Sequence, residues 1–167
     1  MDGEEKLEVV DEDGNVIGLA ARAELHRDPS LIHRVVHVLL FNRSGELLLQ
    51  KRSMKKDTAP GKWDTSVGGH ISPGEDDLAA ALREMEEELG IAGCELRYLY
   101  RYLYLNDHES ELVSTFSCIC EKRIAFNKEE IDQVAFWKIE DIRKSLGTEV
   151  FSGQFEKEIL HYLGMAG

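Results

Sequence analysis

Proline is rare in this chain, three residues in 167, cysteine is equally rare, and no long apolar run occurs. Each scarcity excludes something. A membrane helix needs roughly 20 consecutive apolar residues, so no spanning helix is expected. Three cysteines, Cys94, Cys118 and Cys120, form an odd count without CxxC spacing, which is no disulfide framework. Cys118 and Cys120 stand two apart in a strand-like run, so they share one face and flank Ile119. They read as small apolar residues, with thiolate metal binding as the lesser alternative. Positive charge is also short, with 20 basic residues against 32 acidic and a net of −12. That balance argues against a nucleic-acid polymer or an anionic membrane as partner. It leaves small phosphate compounds open, because a metal ion can mediate the contact. The first residues, MDGEEKLEVV, have neither the basic start nor the apolar stretch of a signal peptide, and the expected location is the cytoplasm.

What is present suits one domain, since 43% of the residues are hydrophobic and ~100–200 residues per domain is usual. Residues 7–18 read as two short strands around the turn at Asp13-Gly14-Asn15. RVVHVLLFN (34–42) and ELLLQKR (46–52) read as strands joined by a hairpin loop. Residues 53–74, with Pro60-Gly61, Gly68-Gly69 and Pro73-Gly74, read as a long shaped loop. A helix is expected over 75–89, stopped by Gly90. Further strands are expected at 96–105, 112–120 and 134–139, and helices at 140–146 and 154–163. The division expected is an N-terminal hairpin extension over 1–30 and a main domain over 31–165. Strands mixed with two or three helices indicate an α/β or α+β sandwich.

The 75–89 helix carries two patterns. Leu78, Leu82, Met85 and Leu89 fall on one stripe, expected to pack on the core. Glu84, Glu87 and Glu88 lie at i, i+3 and i+4, which puts three carboxylates side by side. Like charges so placed need something positive among them, and a hard divalent cation suits clustered carboxylate oxygens. Ser72-Pro73-Gly74-Glu75 has the form of a capping box. Further on, Tyr98, Tyr100, Tyr102 and Tyr104 alternate and are expected on one strand face, in sheet packing rather than base stacking.

Gly69, five residues, Glu75, seven residues, Arg83-Glu84-Met85, one residue, Glu87-Glu88, one residue, Gly90-Ile91 resembles the Nudix box, with every defined position filled. The resemblance implies an α/β/α sandwich with a mixed β-sheet. It also implies hydrolysis of the diphosphate linkage of a nucleoside diphosphate derivative or related organic diphosphate, with Mg2+ or Mn2+ as cofactor. Glu84, Glu87 and Glu88 would hold the metal, Arg83 would orient a glutamate, and Glu75 would be structural. Glu130, in a later loop, is a candidate to activate water. Gly68 and Gly69 would let backbone approach metal or phosphate.

The flanks resemble bacterial isopentenyl-diphosphate isomerase over roughly residues 20–150. The matches are His26, His33, Arg52, Lys56, the run PGKWDTSVGGH ending at His70, and Glu109-Ser110-Glu111. The resemblance implies a second divalent metal held by His26, His33, His70, Glu109 and Glu111, with Arg52 and Lys56 on the diphosphate. The isomerase's catalytic cysteine is replaced here by Gly68, and the Nudix box is intact, so hydrolysis is favoured over isomerisation. Isomerisation and a non-catalytic ligand-binding module are the alternatives. Oligomeric state is not legible, and a homodimer stays open.

Overall fold

The most apolar run of the chain becomes the axis of the fold. In the computed structural model, which describes residues 5–166, the elements run β1 (Lys6–Val10), β2 (Val16–Ala21), α1 (Arg22–Leu25), β3 (Ile32–Phe41), β4 (Leu47–Arg52), β5 (Trp63–Asp64), β6 (Val67–His70), α2 (Asp77–Leu89), β7 (Arg97–Leu105), β8 (Ser110–Ile119), β9 (Ile131–Trp137), α3 (Ile139–Ser145) and α4 (Gly153–Ala166). Along one edge, β3 pairs with β8 in parallel over its whole length. Its other edge is shared by β1, β6 and β4 in turn, all antiparallel. The strand β7 extends the sheet beyond β8, and β5 and β9 pair with β4. The sheet is therefore mixed, and so crowded around β3 that it curls. Among the described residues, no helix is long and apolar enough to cross a membrane.

Alternation along β3 divides the core. Val36, Val38 and Leu40 point to one face, where Ala80, Ala81, Met85 and Leu89 of α2 cover them. Leu39 points to the other, where Phe155 and Ile159 of α4 and Ile142 of α3 pack with Leu47 and Leu49. Helices on both faces of a mixed sheet make the expected α/β/α sandwich. Cys118 and Cys120 are buried on the α2 side, with Ile119 between them exposed.

Four expectations change. First, the helix begins at Asp77, not 75, because Asp76 rather than Ser72 is its cap: its carboxylate accepts from Ala79 N at 2.7 Å. Second, Leu78 and Leu82 are 45% and 36% exposed. Met85 and Leu89 face the sheet as expected, but Ala80 and Ala81 complete that face, and the two alanines allow close approach and turn Glu84 and Glu88 inward. Third, Gly68 and Gly69 lie not in a loop but in β6, opposite His37 and Val36 of β3. Fourth, the register of β7 shifts between Tyr98 and Tyr100. Tyr98 therefore meets Phe116 on the α2 side, while Tyr100, Tyr102 and Tyr104 stand opposite Thr115, Val113 and Glu111.

Candidate active site

One cleft is lined by the inward acids of α2, the end of β6, the middle of β3 and the loop before β5. Its α2 wall is fixed at both ends. Asp77 accepts from Ser114 Oγ and from Arg34 Nη1 at 3.3 Å, tying the first turn to β8 and β3. At the far end Gly90 adopts φ 67°, a left-handed cap in which a Cβ would meet Ala125 O at 2.9 Å.

Arg83 organises the acids between. It grips Glu75 through two bonds of 2.9 Å, reaches Glu84 Oε2 at 2.9 Å and Glu87 Oε2 at 3.4 Å, and donates to His70 O at 3.0 Å. The guanidinium holds Glu75 below the usual carboxylate range and is itself made harder to deprotonate. Glu84 lies directly on β6: a Cβ on Gly69 would fall 2.2 Å from its Cδ. Burial raises the Glu84 pKa. Burial, with the charge of Glu84 beside it, pushes Glu88 up to about 8, although Gln50 Nε2 donates to it at 2.9 Å. Three carboxylates, those of Glu75, Glu84 and Glu87, therefore surround one guanidinium, with Glu88 beside Glu84, an acidic excess that a divalent cation would offset.

The second cluster centres on His33. This ring is fully buried, and neither nitrogen has a hydrogen-bond partner. His26 and His70 face it, with ring centroids 5.6 and 5.2 Å away, and their Nε2 atoms are 3.4 Å apart. The carboxylates of Glu111 and Glu109 lie 3.5 and 3.7 Å from His33 Nε2. Strand register explains the convergence: His33 pairs with Glu111 across β3 and β8, and His70 with Val35 across β6 and β3. Ligand atoms of His26, His33 and His70 lie within 4.8 Å of one another, as do those of His33, Glu109 and Glu111. Among the described residues no other group of three such side chains converges so closely, the box acids included.

Burial lowers His26 and brings His70 down to about 3, which leaves imidazole lone pairs free of protons. Burial and Glu111 push Glu109 up to about 8. Burial works to raise Glu111 too, but the nearby His33 ring pulls it down. Orphaned nitrogens on a buried ring, deprotonated imidazoles and two carboxylates are a donor set that fits a divalent transition metal.

The remaining expected residues line the same cleft. Arg52 donates to Thr58 O at 2.8 Å and lies 3.5 Å from Asp64, and Lys56 Nζ lies 3.7 Å from Glu130. Gly68 borders the ring of His37, where a Cβ would be 3.2 Å from Cδ2. Sequence reasoning missed His37, Gln50, Thr65 and Glu158. Two signals were available: His37 is four residues after His33, hence on the same strand face, and Glu158 is an acid on the apolar face of α4 beside Phe155 and Ile159.

The NUDIX domain family matches residues 31–158. An uncharacterized Nudix hydrolase of Yersinia pestis is 36% identical, over 83% of this chain and 75% of its own. An isopentenyl-diphosphate Delta-isomerase of Streptomyces avermitilis is 35% identical, over 89% of this chain and 79% of its own. A crystal structure of a Deinococcus radiodurans protein superposes with a TM-score of 0.81 at 25% identity, covering 94% of this chain and 98% of that one. With a family match over most of its length, and a complete acidic helix set against a glycine strand, the chain belongs to the Nudix family.

Proposed function

We propose that this protein hydrolyses a diphosphate linkage in a nucleoside diphosphate derivative or related organic diphosphate, using Mg2+ or Mn2+. The observation that carries the reading is the acidic set on and just before α2, with Glu75, Glu84 and Glu87 around Arg83, Glu84 seated against Gly69 and Glu88 turned into the cleft. Glu84, Glu87 and Glu88 would hold the cation. When bound, it supplies charge neutralisation at phosphate oxygens and a more acidic water.

The chain's own groups do the positioning. Gln50 fixes the Glu88 carboxylate, and Arg83, anchored by Glu75 and by His70 O, fixes Glu84. Arg52 and Lys56 would turn from Asp64 and Glu130 to the outer phosphate oxygens. Glu130, released from Lys56, is the candidate to take the proton of the attacking water. His26, His33, His70, Glu109 and Glu111 would hold a second divalent metal that orients the diphosphate.

The test is a screen of purified protein with Mg2+ and with Mn2+. It covers nucleotide sugars, dinucleoside polyphosphates, nucleoside triphosphates, coenzymes and prenyl diphosphates, and products are read by mass spectrometry. A metal-dependent product with a cleaved P–O bond, lost in Glu87→Gln and Glu88→Gln, supports the reading. Undiminished activity in both variants, or no cleavage of any member, overturns it.

A second reading, isomerisation of isopentenyl diphosphate, is favoured by the five-residue histidine–glutamate cluster and by the Streptomyces relative. The missing thiol at Gly68 weighs against it. Dimethylallyl diphosphate formed from isopentenyl diphosphate would establish it.

A further inference from the structure

Between the acids of α2 and the histidine–glutamate cluster, the cleft contains polar atoms that neither group uses. His37 follows His33 on the same face of β3, about 13 Å further along at the usual strand rise. His37 is 4% exposed and lines the cleft. Its Nδ1 bonds Glu158 Oε1 at 2.7 Å. Its Nε2 has no hydrogen-bond partner among the described residues. That atom lies 3.6 Å from where a Cβ on Gly68 would sit, and the methyl carbon of Thr65 lies 3.7 Å from the same point. Thr65 is 4% exposed, lines the cleft, and its Oγ1 is also without a partner. The His37 ring edge and the Thr65 methyl therefore border one small space that Gly68 keeps open, and the unpaired Thr65 hydroxyl belongs to the same wall. Leaving the buried Thr65 Oγ1 unpaired costs free energy unless a ligand satisfies it, and His37 lines the cleft beside it.

The support behind His37 is unusually complete. Glu158 is fully buried on α4. Besides His37, its carboxylate accepts from the hydroxyls of Tyr100, Tyr102 and Thr115. These hydroxyls are neutral, so His37 is the one group in contact with Glu158 that can carry the balancing positive charge. Because Nδ1–H is committed to the carboxylate, the imidazolium presents Nε2–H to the cleft as a donor. The other acids whose charge reaches this ring are Glu111 on β8 and Asp64 on β5, and both favour the same protonated form.

We propose that His37 Nε2–H and Thr65 Oγ1–H form an anion subsite at the cleft floor, backed by Glu158, which takes one phosphoryl group of the substrate or product. The subsite rests on the diphosphate reading of the cleft. It assigns His37 direct contact with phosphate oxygen and gives Glu158 a positioning role through it. Gly68 is then a spacing residue: any side chain there would fill the pocket between His37 and Thr65.

The test uses the full chain loaded with Mg2+, with inorganic phosphate and methylenediphosphonate as probes, so that binding is read without turnover. In protein labelled with 15N-histidine, either probe should shift the His37 Nε2 signal while Nδ1 stays bonded to Glu158. His37→Asn keeps a donor near Glu158 but withdraws from the cleft, and it should weaken probe binding roughly tenfold or more, the usual loss of a charge-assisted hydrogen bond. Thr65→Val should weaken it by less, and Gly68→Ala should weaken it while leaving both partners in place. Equal probe affinity in wild type and His37→Asn, or an unmoved His37 signal, overturns the proposal. So does a loss of bound metal in His37→Asn, which would make His37 a metal ligand. Probe binding without hydrolysis of any compound keeps the subsite and removes the hydrolase reading. Hydrolysis without probe binding does the reverse.

Discussion

A methyl group on Gly69 would fall 2.2 Å from Glu84 Cδ, so this position has no tolerance for a side chain. Gly69→Ala should leave the fold intact, because β6 pairs through its backbone, yet displace a carboxylate of the acidic set. Turnover should fall by roughly 10²-fold, the scale set by a misplacement of about 1 Å at a reacting centre. Steady-state kinetics beside an unchanged circular dichroism spectrum would check this. His33→Ala should lower the content of the second metal, measured by elemental analysis after dialysis, because both orphaned nitrogens disappear at once. The identities of these residues were legible in the sequence through the spacing of the Nudix box and of the isomerase-like histidines. Their partners were less so. Gln50 reads as one polar residue in a leucine-rich strand, and nothing local says that it reaches an acid on α2.

At the scale of the element, α2 is held by its ends and by small residues facing the sheet. Removing the cap with Asp76→Ala should cost roughly 1 kcal/mol. For a chain of this size that is a fall in Tm of about 2–4 °C, measurable by calorimetry. Leu78→Lys and Leu82→Lys should each change stability by less than about 0.5 kcal/mol, because both leucines are on the solvent side. Met85→Ala, fully buried, should cost about 2–5 kcal/mol by leaving a cavity. Periodicity revealed the helix and the buried Met85 and Leu89, but it put Leu78 and Leu82 where Ala80 and Ala81 lie, since leucines outrank alanines on any hydrophobic count. Two alanines win here because the helix must lie close enough for Glu84 to touch Gly69. The bulge that turns Tyr98 away from the other tyrosines was equally hidden, because alternation in the sequence has no mark for a shifted register.

At the scale of the whole molecule, the His37–Glu158 pair fastens α4 to the middle of the sheet. Burial acts to lower His37, but the hydrogen bond and charge of Glu158 outweigh it and raise the folded-state pKa. Glu158 moves the other way: burial would raise it, but His37, Tyr100 and Thr115 hold it down. The histidine's share of stability is complete below its ordinary pKa of 6.5 and fades as pH rises through the raised value. The glutamate's share is complete above its ordinary pKa of 4.5 and fades as pH falls through the lowered one. The pair should therefore contribute in full between pH 4.5 and 6.5. Urea midpoints measured across pH should show that plateau in wild type and lose it in Glu158→Gln, which should also cost about 3–5 kcal/mol by leaving a buried charge uncompensated.

The parallel partnership of β3 and β8 bears on how the chain reaches this state. The two strands lie on opposite sides of the whole box region in sequence, so their union must wait for a long loop to close. His33 and Glu111 sit on that pair, so the histidine–glutamate cluster cannot assemble on a ribosome-bound chain before β8 has emerged. Local hairpins such as β1–β2 need no such wait. The strand pairing that creates the cluster thus also times it, and any capture of metal by the five residues would be a late event of folding.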